Sequence, residues 1–338
     1  PRAAIAFSGG EHLLRADAFD LIAHAARRGL WSLVATSGHS LVDTDAVHRA
    51  AAAAQGKVIF MLPFNSVDKT AYAPTRDDGP DTALRAAQRC REENVPFMFT
   101  LTVSKSNLAA LPATVAFLGE QNVPLHCSPF VPRAAGRPFR RLMIEASEME
   151  RIVHPAVIGN PLAYLSLTPF FGAPERVDQA LHRHALRIDG IGCQAARGLV
   201  AVGPEGQVAP CAHLLDSSCV CGNVRYERLS DIVRTSPVFV ALRRRTHLGG
   251  KCGRCRYQQT CGGCRALAFH YSGDIQAEDP TCFFTPESLH SRCPLEDEQT
   301  RRMEQLLEYV NTTEPWRRFL GRVDEPTSPQ RTTKGLTA

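Results

Sequence analysis

No stretch of this 338-residue chain stays apolar for the ~18 residues a membrane helix needs, so no membrane is expected among its partners. The opening, PRAAIAFSGG, has no basic segment followed by a long apolar one, so it does not read as a secretion signal. Charge of neither sign dominates. Lys and Arg number 39 and Asp and Glu 34, and the resulting +5 is too mild to argue for nucleic acid. No internal repeat is present, which argues against a solenoid or propeller. An initiator Met is missing, and Ala4–Phe7 already reads as a buried strand, so the sequence reads as starting inside a longer protein. These absences leave a cytoplasmic protein as the expectation.

What is there is ordinary globular material, 44% hydrophobic and 22% charged, enough for a real core. At about 100–200 residues per domain, the length suggests two domains and a tail. Cysteine is the exception. Ten of the 12 lie between Cys193 and Cys293, and only Cys90 and Cys127 precede them. Without a secretion signal, crowded cysteines read as metal ligands ahead of disulfides.

The first two-thirds alternate short apolar runs with helical patterns. Strands are expected at Ala4–Phe7, Trp31–Thr36, Lys57–Leu62, Phe97–Ser104 and Leu125–Phe130. Helices are expected at Asp17–Arg28, Asp43–Ala54, Asp81–Glu93 and Asn107–Glu120, each opened by a capping Asp or Asn. A helix in every gap makes βαβ units, hence an α/β fold with a mostly parallel sheet curled into part of a barrel. Leu162–Phe171 is ambiguous between a strand and a packing segment. The texture changes near residue 186. Gly198–Cys211 reads as a hairpin turning at Pro204-Glu205-Gly206, two short helices follow at Leu229–Arg234 and Val238–Arg245, and Glu296–Tyr309 is an amphipathic helix. From about Asp324 the chain is rich in Pro, Thr and Ser and reads as disordered. The expected domains are 1–185, a partial barrel; 186–290, a cysteine-rich domain; and 291–338, a C-terminal helix and tail.

Functional residues of such a sheet belong at the C-terminal ends of its strands. Ser8-Gly9-Gly10-Glu11 stands there after the first strand, with glycines that admit a ligand to the backbone and a carboxylate suited to an ammonium group. Thr36-Ser37-Gly38 ends the second strand, where a turn with a hydroxyl cap is the plainer reading. Ser104-Lys105-Ser106-Asn107 ends a later one, with Asn107 as a helix cap the plainer reading. If these ends share a mouth, one Glu, several hydroxyls and one Lys suit a zwitterion such as an amino acid.

The stronger signal is Cys252-x2-Cys255-x5-Cys261-x2-Cys264, followed by Cys282 and preceded by Cys193-x12-Gly206-x4-Cys211. A zinc module separates its two Cys pairs by about 15–20 residues. Here the gap is five, and more than four thiols share one region, which places iron–sulfur clusters ahead of zinc and zinc ahead of disulfides. Cys219 and Cys221 read either as further ligands or as small buried residues, and Cys293 as structural. His213 reads as a surface histidine with ligation as the rival. Arg243-Arg244-Arg245 reads as a solvated helix face, with binding of a carboxylate-rich substrate as the rival.

Together these pieces resemble the radical S-adenosylmethionine (SAM) enzymes that carry a C-terminal SPASM domain, over about residues 4–290. The family's Phe-Ser-Gly-Gly-Glu is present at Phe7–Glu11, with His12 in place of the usual Pro. Its Thr-Asn-Gly corresponds to Thr36-Ser37-Gly38, and its later basic residue and Asn to Lys105 and Asn107. Met61-Leu62-Pro63-Phe64 stands where the family has Ser-Leu-Asp-Gly. The segment Cys261–Cys282 looks most like the branch that modifies tetrapyrroles in haem pathways, and shares much with the pyrroloquinoline quinone precursor enzyme and other peptide maturases.

The resemblance implies a (β/α)6 barrel, here lacking its first strand, and an oxidoreductase-type enzyme of cofactor biosynthesis. A 5′-deoxyadenosyl radical would attack a tetrapyrrole or, as the alternative, a peptide. A non-catalytic iron–sulfur module is the rival from another class. It implies SAM contacts at Ser8, Gly9, Gly10, Glu11, Thr36, Ser37, Ser104, Lys105 and Asn107. Cys252, Cys255, Cys261 and Cys282 would hold one auxiliary cluster, and Cys193, Cys211 and Cys264 would contribute to the other. A flavodoxin or ferredoxin would donate electrons. The Cys-x3-Cys-x2-Cys that holds the family's SAM-cleaving [4Fe–4S] cluster occurs nowhere in the 338 residues, so an N-terminally truncated sequence, unable to cleave SAM as it stands, is expected.

Overall fold

A computed structural model describes residues 3–43, 45–72, 79–166, 169–183, 191–215, 217–313 and 316. The larger sheet has six parallel strands in chain order, β1 (Ala4–Phe7), β2 (Trp31–Ala35), β3 (Val58–Pro63), β4 (Phe97–Val103), β5 (Leu125–Pro129) and β6 (Ala163–Leu165). Helices α1 (Ala18–Arg27), α2 (Ala46–Ala53), α3 (Asp81–Glu92) and α4 (Leu111–Glu120) lie in the first four crossovers. Strands that neighbour in sequence also neighbour in the sheet, as successive βαβ units of one hand produce. The expected α/β fold is therefore present.

Side-chain alternation decides which face each residue serves. On β4, Phe97, Phe99, Leu101 and Val103 enter the core under the helices, with Phe60, Leu62, Leu125 and Cys127 from the neighbouring strands. Met98 points the other way and joins Trp31 and Ile59 on the inner face. His126, between Leu125 and Cys127, belongs to that inner face too, and its register partners are Thr100 on β4 and Tyr164 on β6.

Three local expectations need correction. Ala4–Phe7 is mostly exposed rather than buried, because β1 pairs only with β2 and stands at the sheet's edge. The helix caps are not made as expected. Asp17 binds Arg15 at 2.8 Å instead, Asp81 lies inside α3 behind Pro80, and α4 starts only at Leu111. Leu162–Phe171 contains only the short β6; residues 167 and 168 lie outside the described set.

The second part opens with α5 (Pro174–Arg183). It continues through β7 (Ala201–Val202), β8 (Gln207–Ala209) and β9 (Gly222–Asn223), an antiparallel sheet, to α6 (Leu229–Thr235), α7 (Pro237–Arg244) and α8 (Arg265–Ser272). The β7–β8 hairpin closes with Gly203 N–H on Gln207 O at 2.8 Å, and Gly206 supplies the φ of +87° that the turn demands. The last helix, α9 (Glu296–Thr312), returns to the first part. Met303 and Leu307 pack on Val177 and Leu181 of α5, while Tyr309 and Val310 lie against the inner-face cluster of Trp31, Ile59 and Met98. The residues from Asp324, read from sequence as disordered, lie outside the described set. Among the described residues no helix is long and apolar enough to cross a membrane.

Candidate functional site

Two of the sequence motifs meet at the ends of β1 and β2. Glu11 Oε2 accepts from the Ser37 N–H and from Ser37 Oγ, both at 2.7 Å. Glu11 Oε1 is buried with no hydrogen-bond partner. A buried carboxylate oxygen without a donor is costly, and an ammonium group would remove that cost. Ser8, Gly9 and Gly10 form the exposed bend leading to it. Thr36 Oγ1 accepts from Gly38 N–H at 3.1 Å, the plain turn reading. His12 stacks on Phe7 with ring centroids 4.4 Å apart, and burial lowers its pKa.

The third motif is placed differently. Asn107 is buried, accepts from Ser104 N–H at 2.9 Å and donates to Asn65 O and Thr102 O, so it fastens the ends of β3 and β4 rather than capping a helix. Ser104 Oγ meets Ser106 Oγ at 2.7 Å. Lys105 reaches Glu145 at 2.5 Å and Glu148 at 3.8 Å; the Glu145 hydrogen bond is the main cause of its raised pKa. Its charge is spent there. Among the described residues no hydrogen bond or ion pair joins this group to Glu11 or Ser37.

The cysteines divide into two sites. Cys252, Cys255, Cys261 and Cys282 line one small cavity together with Gly262 and Gly263. Backbone N–H groups aim at the sulfurs. Phe170 and Gly263 each donate to Cys261 Sγ at 3.3 Å, and Asp279 donates to Cys252 Sγ at 3.4 Å. A Cβ on Gly263 would stand 3.0 Å from Cys252 Sγ, and one on Gly262 would stand 2.6 Å from the Arg245 guanidinium, so both positions admit only glycine. Burial pushes the Cys261 thiol up to about 12. A thiolate there needs positive charge beside it, and buried Arg245 and Arg265 stand close, with Arg265 3.8 Å from Cys252 Sγ.

The second site comprises Cys193, Cys211 and Cys264, on one wall of a cavity of about 640 Å³. Leu267 N–H donates to Cys264 Sγ at 3.4 Å, and Arg245 donates to Cys193 O. Burial raises the Cys264 thiol well above its usual value, and Cys193 and Cys211 raise it further. Asp279 ties the sites together, its N–H on Cys252 Sγ and its carboxylate accepting from Cys264 N–H at 2.6 Å. Cys219 and Cys221 are buried and half-buried nearby but do not line the cavity. Cys293 is buried and donates its N–H to Tyr257 Oη at 2.9 Å, the structural role read from its position.

The donor set fits iron–sulfur clusters. All 12 cysteines are free, which removes the disulfide reading. Among the described residues no three His, Cys, Asp or Glu side chains stand close enough to share one metal ion. A cluster binds each thiolate to a different iron, so its ligands stand farther apart. Cys90 and Cys127 take no part; both sit in the core under the helices, and burial pushes each thiol up to about 12.

Sequence reasoning missed several cavity residues. His126 stacks on Tyr164 at 4.9 Å and hydrogen-bonds Ser166, and all three face the cavity. His154 meets Gln299 at 2.6 Å. Arg302 donates to the carbonyls of Val157, Ile158, Asn160 and Ala163. None belongs to a motif; only the period of two along β5 would have turned His126 inward. Arg245, read as part of a solvated face, is buried at 2% exposure and binds Gln259 O at 2.7 Å, because it ends α7 in a left-handed turn over the cysteine loop.

Burial lowers both His126 and His154 from 6.5 to about 4. The unfolded chain therefore binds more protons than the folded one between those values, and stability must fall as pH drops from 6.5 toward 4. Each histidine is expected to cost on the order of 3 kcal/mol over that window. Urea unfolding at stepped pH checks it: His126→Asn should flatten the slope by about one proton, and an unchanged slope would refute the assignment.

The SPASM family, described as an iron-sulfur cluster-binding domain, matches residues 193–265. An AdoMet-dependent heme synthase of Methanosarcina barkeri is 29% identical over 297 residues, covering 82% of this chain and 82% of that protein. A PqqA peptide cyclase of Gluconobacter oxydans is 28% identical over 323 residues, 91% of this chain and 84% of that one. Among solved structures, SuiB of Streptococcus suis bound to S-adenosylmethionine superposes with a TM-score of 0.61 at 15% identity, covering 83% of this chain and 66% of that one. These likenesses span the parallel sheet and the cysteine sites alike: residues 193–265 match the SPASM iron–sulfur cluster-binding domain, and over most of its length the chain is similar to AdoMet-dependent heme synthases and PqqA peptide cyclases and shares the fold of SuiB.

Proposed function

We propose that this protein modifies a tetrapyrrole by radical SAM chemistry in the cavity between the parallel sheet and the second cysteine site. One observation carries the reading: the inner-face residues His126, Ser128 and Tyr164 and the thiols Cys193, Cys211 and Cys264 bound one cavity of about 640 Å³. A substrate there would touch both the sheet's inner face and an auxiliary cluster. SAM and the clusters, when bound, supply radical initiation and an electron acceptor. The chain's own residues do the rest. Glu11 Oε1 offers its charge to the SAM ammonium, and Ser37 holds Glu11 in place. Cys252, Cys255, Cys261 and Cys282 hold one cluster; Cys193, Cys211 and Cys264 hold the other. Gln299, Met303 and Leu307 close the cavity against water. A flavodoxin or ferredoxin is the proposed electron donor. A peptide substrate is the second reading, supported by the similarity to a PqqA peptide cyclase.

The test is anaerobic reconstitution followed by iron and sulfide analysis, SAM titration and an assay for 5′-deoxyadenosine. These 338 residues are expected to take up iron yet release no 5′-deoxyadenosine, since they contain no Cys-x3-Cys-x2-Cys. An iron–sulfur spectrum without SAM binding would instead support a non-catalytic module. Robust deoxyadenosine release would overturn the argument from the missing motif.

A further inference from the structure

Arg245 and Arg265 are both buried beside the cysteine sites, each at 2% exposure. A guanidinium keeps its charge at any ordinary pH, and taking that charge out of water is costly unless an anion meets it. Neither side chain has a carboxylate for a partner among the described residues. Arg245 donates to the carbonyls of Gln258, Gln259 and Cys193. Arg265 donates to the carbonyls of Gly263, Ile275 and Ala277 and to the sulfur of Cys252. Asp279, the buried carboxylate of this region, accepts instead from Cys264 N–H and from Thr281, and reaches Arg265 only through its charge.

The anions left for these cations are thiolates. Arg265 Nη2 lies 3.8 Å from Cys252 Sγ, in the first site. Arg245 stands between the two sites. It holds the main chain of Cys193, in the second, and its guanidinium presses on Gly262, next to Cys261 of the first. Burial lowers the Arg245 pKa and Arg197 lowers it further, while Cys193 and Cys261 pull it back up.

We infer that Arg245 and Arg265 are fixed counter-charges of the cluster held by Cys252, Cys255, Cys261 and Cys282, and that they raise its reduction potential so that it accepts an electron readily. The inference rests on the iron–sulfur reading of those cysteines. A cluster with four thiolates is negative and gains one more negative charge on reduction, so a buried cation beside it favours the reduced form. Both arginines also tie loops together through main-chain carbonyls. A tie alone would leave the potential where it is, and that difference separates the two roles.

The test is a redox titration of the anaerobically reconstituted chain, followed by electron paramagnetic resonance. Dithionite supplies one electron per cluster, taking [4Fe–4S]2+ to [4Fe–4S]+, and the signal missing from Cys261→Ala belongs to the first cluster. Arg265→Gln keeps hydrogen-bond donors and drops the charge. It should lower the equilibrium constant for reduction about tenfold, a shift of about 59 mV to lower potential for one electron. Arg265→Lys should restore most of that shift, and Arg245→Gln should lower the potential too. Arg234→Gln, on α6 and paired with Asp231 at 2.7 Å, should leave it unchanged. A parent potential in either Gln variant of Arg245 or Arg265 overturns the inference for that arginine. If Arg265→Gln holds no iron, iron content decides: recovery in Arg265→Lys supports the counter-charge, and equal loss in both makes Arg265 a structural tie and overturns it. A parent chain that takes up no iron at all overturns the iron–sulfur reading itself.

Discussion

Cys261→Ala is expected to cost one whole cluster, about half of the iron that the reconstituted chain holds if both sites carry the same cluster type. The Cys261 sulfur accepts two main-chain N–H bonds, from Phe170 and Gly263, and lines the cavity of Cys252, Cys255 and Cys282. Cys261 is also buried in a cluster with Phe171, Tyr257 and Cys293, so losing the metal at this site also loosens that packing, and metal binding and local folding are coupled. Loss of the site should therefore destabilise this part of the chain by more than about 4 kcal/mol, the range that loss of a metal site reaches. Cys211→Ala should remove the other half of the iron, because it belongs to the second site. Cys90→Ala is the control: it opens a small hole in the core under α3 and should leave the iron untouched. Iron and sulfide analysis with thermal melting decides. Full iron and an unchanged melt in Cys261→Ala would sink the ligand assignment, and loss of the same half in both cysteine variants would sink the division into two sites.

Glu11→Gln should weaken SAM binding about 10- to 150-fold, the loss that follows from removing a charge-assisted bond of about 1.5–3 kcal/mol. Glu11 Oε2 already serves Ser37, while the buried Oε1 has nothing to accept from. Gln can keep its carbonyl oxygen on Ser37, so the tie between β1 and β2 survives and melting without SAM should hardly move. The charge is what disappears. Calorimetric titration of SAM into protein competent to bind it is the check. Unchanged affinity in a well-folded variant would leave Glu11 as a strand-end tie and nothing more.

Much of this was legible from the residues alone. The helix-period and strand-period runs placed the first five strands of the large sheet to within a residue or so at each end. The pattern worked because parallel strands covered on one face by helices must be apolar at alternate positions. The division of the thiols into two sets was readable only through the family resemblance, and the structure lines the two cavities with the same two sets. The charges near the site were not legible. Lys105 looked like a free cation at a strand end, but Glu145 lies 40 positions away and only the folded chain brings the pair together. Arg245 looked solvated, as one of three arginines in a row, until α7 ended in a left-handed turn and pressed it under the cysteine loop.

By itself, then, the sequence determined the alternation of strand and helix, the carboxylate after Gly10 and the crowding of thiols, since each depends on neighbours within a few positions along the chain. Only the tertiary structure decided that Glu11 leans on Ser37, that α9 returns to the sheet's inner face, and that His126 shares a cavity with Cys193, Cys211 and Cys264. Those contacts join residues 26 to more than 100 positions apart, and no local propensity or spacing carries information over such a distance. The burial of the same apolar faces that made the strands legible is what brings them together.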